Sequence, residues 1–417
     1  MACEIRIDRH LIREAAGSVR YALVSVTAPQ APPKAGRDPL HVALVLDRSG
    51  SMGGAKITLA REAVRQALQA LRPDDWFSLV VYDEEITAIV ESTLASAEAK
   101  RNALKKLGRI DARGSTDLHG GWLAGCDQLA VKLGAEQVGR CLLLTDGLAN
   151  VGITDRDELV RLTGAAIRER RIATSTFGVG ADFDERLLHG VADAAGGHFY
   201  FIEQPAQIPD LLTSELGELI AVVARDACVT LQLPEGVEAA PLSAFEAVRT
   251  DARIRIGIGD LVSGQELAVV VALKFPAGQV GDTIALRIGL TDREGVLAVP
   301  AQAIGWSVAS DAANDAQDRD VVVDRAVATL DAARARAEAL ELNRQGKFDA
   351  ARARLERTAR RILATAGDDS ELKALAEELL ADATQHEAFM APMEMKKRHF
   401  ASYSVMRSRT SDGKARK

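Results

Sequence analysis

The spacing of apolar residues divides the chain into parts with different periods. Between residues 41 and about 222, runs of consecutive apolar residues alternate with windows in which apolar residues recur at helical spacing. Unbroken apolar runs are typical of strands that are buried on both faces, as in parallel sheets. The runs lie at residues 41–46, 76–82, 86–91, 139–145, 172–179 and 198–202. Their alternation with helical windows predicts an α/β fold with a doubly wound, mostly parallel sheet.

One pair of these strands is too closely spaced to be parallel. Only Asp83-Glu84-Glu85 separates the run at 76–82 from the run at 86–91, and a parallel crossover needs a much longer connection. We therefore expect an antiparallel hairpin at one edge of the sheet, with the three acidic residues as a solvated turn.

Near residue 225 the period changes to two. Apolar and polar residues alternate at 229–233, 253–258 and 284–290, which predicts an antiparallel sheet or sandwich. Short strand-like runs at 4–8 and 18–27 precede a proline-rich linker. We expect these N-terminal runs to pair with the later strands, so that the α/β domain is inserted into an antiparallel β domain.

The C-terminal part has the composition of helices followed by a basic end. Residues 311–390 are rich in Ala, Glu and Arg, and Gly346 and Gly367 are candidate helix ends, so three helices are expected, most simply as a plain helical hairpin or bundle. The tail from Lys396 onward is basic and is predicted to be flexible, or else to be a docking peptide anchored by Phe400 and Tyr403. The predicted divisions are residues 1–38 for the N-terminal strands and linker, 39–223, 224–310, 311–392 and 393–417.

Composition bears on partners and compartment. The 417 residues carry a net charge of −7, which gives no reason to expect nucleic acid or an anionic membrane as a partner. Four cysteines lie far apart, as expected of free thiols in a reducing compartment. The first ten residues are too charged for a signal peptide, and no apolar run reaches the length of a membrane span. A cytoplasmic location is therefore expected.

Candidate metal ligands follow the first strand of the α/β part. The run at 41–46 ends in Asp47-Arg-Ser49-Gly-Ser51, so one carboxylate and two hydroxyls come to the carboxyl end of a buried strand, where α/β sheets bind ligands. Hard oxygen donors suit a divalent cation such as Mg²⁺. The same residue types are also common in turns. Two later loops, Gly114-Ser-Thr-Asp and Thr145-Asp146-Gly147, offer further oxygens at the same edge.

The order of these three motifs resembles the von Willebrand factor type A family and its metal-ion-dependent adhesion site. The resemblance covers roughly residues 41–222 and implies a Rossmann-like fold. It implies Mg²⁺, or Mn²⁺ or Ca²⁺, as the bound ion, with one coordination position left for an acidic residue of a protein partner. The implied metal ligands are Asp47, Ser49, Ser51, Thr116 and Asp146. The implied partner-binding rim consists of Arg48, Met52, Ser115, Asp117 and Gly147.

Three functions fit these residues. The first is a cytoplasmic, non-enzymatic module that binds proteins through the metal, as scaffold or adaptor; by resemblance to bacterial type A proteins, a MoxR-type AAA+ ATPase is a candidate partner. The second is a metal-assisted hydrolase with Asp47 as nucleophile, although the second acid of such phosphatases is replaced by Ser49. The third is a structural scaffold without a working metal site. His41, His119, His189 and His198 show no metal-binding spacing.

Overall fold

The computed structural model describes residues 2–30, 38–134, 137–297 and 299–417. The chain forms two compact units, one made of residues 34–220 and 391–400 and the other of residues 1–33, 221–390 and 401–417. We refer to them as the α/β unit and the β-sandwich unit. Residues 31–37, the centre of the predicted proline-rich linker, lie outside the described residues.

Three N-terminal strands open the β-sandwich unit. They are β1 (Ala2–Ile7), β2 (Leu11–Arg13) and β3 (Ser18–Thr27). In β3, buried residues alternate with more exposed ones over its first half, as expected of a strand with one face on a core.

The α/β unit is built on a six-stranded sheet. Its strands are β4 (His41–Asp47), β5 (Trp76–Tyr82), β6 (Ile86–Leu94), β7 (Gly139–Thr145), β8 (Ile172–Val179) and β9 (Gly196–Ile202). They are ordered β6-β5-β4-β7-β8-β9, with β6 antiparallel to β5 and the other pairs parallel. All seven residues of β4 are buried between β5 and β7, which explains its unbroken apolar run. The predicted sheet and its antiparallel edge hairpin are confirmed.

Six helices cover the two faces of this sheet. They are α1 (Ala55–Ala70), α2 (Ala97–Leu107), α3 (Leu118–Ala130), α4 (Arg156–Arg170), α5 (Glu185–Ala194) and α6 (Ile208–Ile220). Leu44 and Leu46 of β4 share one apolar core with α1 and α6. Gly125 of α3 packs against Val45 on the opposite face, because successive side chains of a strand point to opposite sides.

The remaining strands complete a two-sheet sandwich. They are β10 (Val222–Gln232), β11 (Glu238–Pro241), β12 (Ala247–Thr250), β13 (Arg253–Val262), β14 (Glu266–Phe275), β15 (Thr283–Thr291) and β16 (Val299–Ala309). One sheet has the order β1-β3-β14-β11 and the other β12-β13-β10-β15-β16-β2. Strand β3 pairs along its whole length with β14, from Ser18–Phe275 to Thr27–Glu266. Strand β3, which precedes the α/β domain in sequence, is therefore an inner strand of the sandwich. The α/β domain is inserted into the β domain as predicted.

Four helices lie between the last strand of the sandwich and the final helix of the chain. They are α7 (Asp311–Ala316), α8 (Val321–Arg344), α9 (Phe348–Ala366) and α10 (Ser370–Thr384). The three long helices agree with the prediction, and α7 is a short addition to it. None of the helices described in the structure is both long and apolar enough to cross a lipid bilayer.

The basic end of the chain is folded, contrary to the prediction of a flexible tail over 393–417. Helix α11 spans Pro392–Met406, and its first part belongs to the α/β unit. There the buried ammonium of Lys396 donates to the Glu185 carboxylate at 2.6 Å and to the Phe183 carbonyl at 2.5 Å. The ring of Phe400 packs edge-on against Phe199, with ring centroids 5.7 Å apart. Local sequence could not predict this packing, because the partners of Lys396 lie more than 200 residues earlier in the chain.

A glycine in β9 provides a test of how closely β9 packs against β8. A Cβ atom at Gly197 would lie 2.1 Å from the carbonyl oxygen of Thr174 in β8, whereas one at Gly217 in α6 would meet nothing within 4 Å. We expect Gly197→Ala to lower the free energy of unfolding by about 3 kcal/mol, since backbone must move. The control Gly217→Ala should leave it unchanged or raise it by up to about 1 kcal/mol. Urea denaturation measures both, and equal effects of the two substitutions would contradict the packing.

Candidate metal centre

Asp47 is held at the carboxyl end of the central strand. It is the last residue of β4 and is fully buried. Its Oδ1 accepts a hydrogen bond from the backbone N–H of Ser49 at 2.7 Å, and its Oδ2 accepts one from the hydroxyl of Thr145 at 2.6 Å. The carboxylate therefore has a fixed orientation before any ligand binds.

The two serines link this strand end to the next one. The loop after β4 forms a single 3₁₀ turn at Gly50–Met52, which brings the hydroxyl oxygens of Ser49 and Ser51 to 3.1 Å from each other. The Ser51 hydroxyl donates to Oδ1 of Asp146 at 2.7 Å. Asp146 directly follows β7 and is fully buried. Two carboxylates from neighbouring parallel strands are thus joined through two hydroxyls.

Thr116 comes from a third loop. The backbone N–H of Gly50 donates to the Gly114 carbonyl at 3.1 Å, and the N–H of Thr116 donates to the side-chain oxygen of Asn150 at 2.8 Å. A Cβ atom at Gly147 would lie 3.4 Å from the Thr116 hydroxyl oxygen and 3.6 Å from that of Ser51. These two hydroxyls therefore border the same small residue, and all five predicted ligands lie at one edge of the sheet.

The electrostatics of the five-residue cluster call for a cation. Burial raises the pKa of Asp47 to about 6, against the lowering effect of its hydrogen bonds with Ser49 and Thr145, and the charge of Asp146 raises it further. Two buried carboxylates with three hydroxyls are a hard, all-oxygen donor set, which suits Mg²⁺, Mn²⁺ or Ca²⁺. The residues present therefore fit the divalent ion that the sequence predicts.

A lysine already supplies one positive charge to this cluster. The ammonium of Lys56, the second residue of α1, forms an ion pair with Oδ2 of the buried Asp146. The spacing of residues in the sequence does not predict this contact. The available signal was a basic residue in the first turn of the helix that follows the Asp-x-Ser-x-Ser loop, where a cation is unfavourable for the helix dipole.

Comparison with known sequences identifies the fold that carries these loops. The family model described as von Willebrand factor type A domain matches residues 41–214, the stretch that contains all three loops. Residues 41–214 are a von Willebrand factor type A domain. Domains of this family are commonly metal-dependent protein interaction modules.

Relatives share this domain with the chain. The uncharacterized protein YfbK of Escherichia coli is 28% identical over 188 residues, which are 45% of this chain and 32% of that protein. The uncharacterized protein sll0103 of Synechocystis sp. is 26% identical over 276 residues, 64% of each chain. The chain thus matches between about a third and two thirds of the length of these curated relatives.

A solved structure extends the likeness beyond the type A domain. The structure titled von Willebrand factor type A from Catenulispora acidiphila superimposes with a TM-score of 0.69 at 18% identity. The match covers 91% of this chain and 96% of that one. The likeness in fold therefore extends over most of the chain and is not confined to the type A domain.

The predicted rim of the type A domain needs one correction. Met52 is completely buried and belongs to the core beneath the 3₁₀ turn, so it cannot contact a partner. Asp117 caps α3, accepting from the Gly120 N–H at 2.8 Å, and Arg48 forms an ion pair with buried Asp83 at 3.0 Å. Ser115 and Gly147 are partly exposed beside the cluster. Their predicted role at the rim remains a prediction.

The acidic turn after β5 is part of the wall of the site and is not simply solvated. Asp83 is 1% exposed and binds both Arg48 and Arg113, the latter at 2.8 Å. Glu84 accepts a hydrogen bond from the backbone N–H of Ser115 at 2.9 Å. The turn therefore fixes the Gly114–Asp117 loop, a role that only the folded chain reveals.

A second group of possible ligands lies elsewhere in the α/β unit. His198, Glu215 and Glu218 bring ligand atoms within 4.8 Å of one another, although the sequence spacing of His198 gave no sign of it. The buried Glu215 carboxylate accepts hydrogen bonds from the hydroxyls of Ser175 at 2.5 Å and Tyr200 at 2.6 Å, and pairs with His198. These contacts already explain Glu215 as the residue that fastens α6 to β8 and β9.

The pKa of Asp47 predicts how metal binding depends on pH. A carboxylate must lose its proton before it can bind a metal ion. The apparent affinity for the metal is therefore highest above about pH 7 and falls as the pH drops through about 6. At pH 5 we expect Mn²⁺ to bind roughly tenfold more weakly than at pH 7.5. Isothermal titration measures this, with Asp47→Ala as a control that binds at neither pH. An affinity that stays constant between pH 5 and 7.5 would contradict the prediction.

Proposed function

We propose that this chain is a cytoplasmic protein-binding module whose partner is held through a divalent metal ion. Mg²⁺, Mn²⁺ or Ca²⁺ would be bound by Asp47, Ser49, Ser51, Thr116 and Asp146. When bound, the ion supplies a Lewis-acidic coordination position that a carboxylate can occupy. The observation that carries the proposal is the convergence of three loops on two buried carboxylates, linked through Ser51 at 2.7 Å from Asp146.

The charges and hydroxyls of the cluster support a carboxylate as the partner's ligand. Asp47 and Asp146 provide two negative charges and the three hydroxyls provide none, so the protein does not exceed the charge of a divalent ion. A bound ion then keeps its attraction for a further anion. Aspartate and glutamate are the protein side chains that supply such an anion.

The surroundings of the cluster support a protein surface as the partner. Leu148, two residues after Asp146, exposes 55% of its surface beside the site. Arg48 is paired with Asp83, and Arg113 is paired with both Asp83 and Glu85, so the two positive charges are balanced by two negative ones. A partner surface with an acidic side chain next to an apolar one would match this face. The acidic side chain would meet the metal, and the apolar one would meet Leu148.

The state of the cysteines supports a reducing compartment. Cys3, Cys126, Cys141 and Cys228 are free thiols. The thiol of Cys126 is hydrogen-bonded to Cys141, and this contact together with burial raises the pKa of Cys126 well above its usual value. Buried cysteines that pack as core residues are compatible with the reducing cytoplasm.

Capture of partners from a cell extract tests the proposal. The full chain is immobilised as wild type, as Asp146→Ala and as the control Asp111→Ala, which removes an exposed carboxylate that forms an ion pair with Arg61. We expect proteins that bind wild type and the control in Mg²⁺ to be lost both from Asp146→Ala and from wild type in EDTA. A MoxR-type AAA+ ATPase is one candidate among them. Identical sets of proteins under all conditions would refute a metal-dependent contact.

A further inference from the structure

Lys56 occupies a specific place in the cluster of charges. Its ammonium binds Oδ2 of Asp146, while Oδ1 of the same carboxylate accepts from Ser51. The Lys56 side chain is only 23% exposed, and Asp146 is not exposed at all. A Cβ atom at Gly180, in the loop after β8, would lie 3.8 Å from the Lys56 nitrogen. The ammonium is therefore enclosed between Asp146 and this loop, and it uses the oxygen that does not face the serines.

This ion pair changes the charge of the site. Asp47 and Asp146 carry two negative charges, and a lysine side chain carries one positive charge at neutral pH. The arginines beside the cluster do not alter the balance, because Arg48 is paired with Asp83 and Arg113 with both Asp83 and Glu85, which sets two negative charges against two positive ones. With a divalent ion the two carboxylates alone would form a neutral site, whereas with Lys56 the site carries one net positive charge.

We propose that Lys56 makes the site selective for anionic ligands at the expense of metal affinity. The proposal rests on the function proposed above, since it requires a divalent ion bound to the cluster. Repulsion between the ammonium and the metal ion weakens metal binding. The same positive charge strengthens the attraction of the loaded site for a carboxylate. Lys56 thus acts on specificity without being a metal ligand.

The two effects have opposite signs, which separates this role from a structural one. A lysine that only stabilised the fold would, when replaced, weaken metal binding and carboxylate binding together. Removal of the Lys56 charge should instead tighten metal binding and weaken carboxylate binding. Because Lys56 is partly enclosed, its electrostatic interactions are stronger than those of an exposed charge and weaker than those of a fully buried one. We therefore expect the affinity for the metal to change roughly tenfold and the affinity for the carboxylate roughly threefold.

The test uses the full chain in four forms. They are wild type, Lys56→Gln, the charge-conserving Lys56→Arg and the control Arg61→Gln. Arg61 lies on the same helix and pairs with exposed Asp111, so its replacement changes the net charge equally but away from the cluster. Mn²⁺ affinity is measured by isothermal titration. Acetate binding to the Mn²⁺-loaded protein is then measured by the loss of water-proton relaxation as the carboxylate replaces exchangeable water.

The expected result is a roughly tenfold tighter Mn²⁺ affinity and a roughly threefold weaker acetate affinity in Lys56→Gln alone. Lys56→Arg and Arg61→Gln should resemble wild type. If wild type binds Mn²⁺ and acetate but Lys56→Gln changes neither constant, or weakens both, the role of Lys56 is refuted while the proposed function stands. If wild type binds no Mn²⁺, the proposed function fails and the role of Lys56 fails with it.

Discussion

The burial of Asp47 and Asp146 at the ends of neighbouring parallel strands is the constraint on which the site depends. Two carboxylates removed from water destabilise a fold unless hydrogen bonds and a cation compensate them. Thr145, Ser49 and Ser51 supply the hydrogen bonds, and Lys56 supplies a cation. The compensation is incomplete, because burial still raises the pKa of Asp47 to about 6. A site that retains uncompensated negative charge is suited to a divalent ion.

The fold meets this constraint through the order of its strands. Because β4 lies between β5 and β7, the loops after β4 and β7 emerge side by side, and the turn after β5 supports the loop that carries Thr116. Helix α1 begins four residues after Ser51, which puts Lys56 within reach of Asp146. The sandwich contributes no described residue to the five-residue cluster. It consists of strands from both sides of the insertion, with β3 paired along its full length to β14.

Local patterns were enough to predict the sheet and the insertion. They also predicted oxygen-bearing side chains at the ends of strands β4 and β7, whereas the full set of five candidate ligands came from the resemblance to the type A family and stays a prediction. Apolar runs ending in Asp47 and Asp146 have a direct physical meaning, since parallel strands end at one edge. Contacts between distant residues were not predictable. Met52 turns into the core because of the 3₁₀ turn, and Asp83 is buried by two arginines. Lys396 meets Glu185 only in the folded chain, so the prediction of a flexible tail was wrong. His198 likewise meets Glu215 only in the folded chain.

The proposed site requires that three loops hold one divalent ion between Asp47 and Asp146. The most direct measurement is an anomalous difference map from crystals of the full chain grown with Mn²⁺. We expect one strong peak in contact with the carboxylates of Asp47 or Asp146 and with the hydroxyls of Ser49, Ser51 and Thr116. A peak at His198, Glu215 and Glu218 with none between the three loops would contradict it, and so would the absence of any peak at millimolar Mn²⁺.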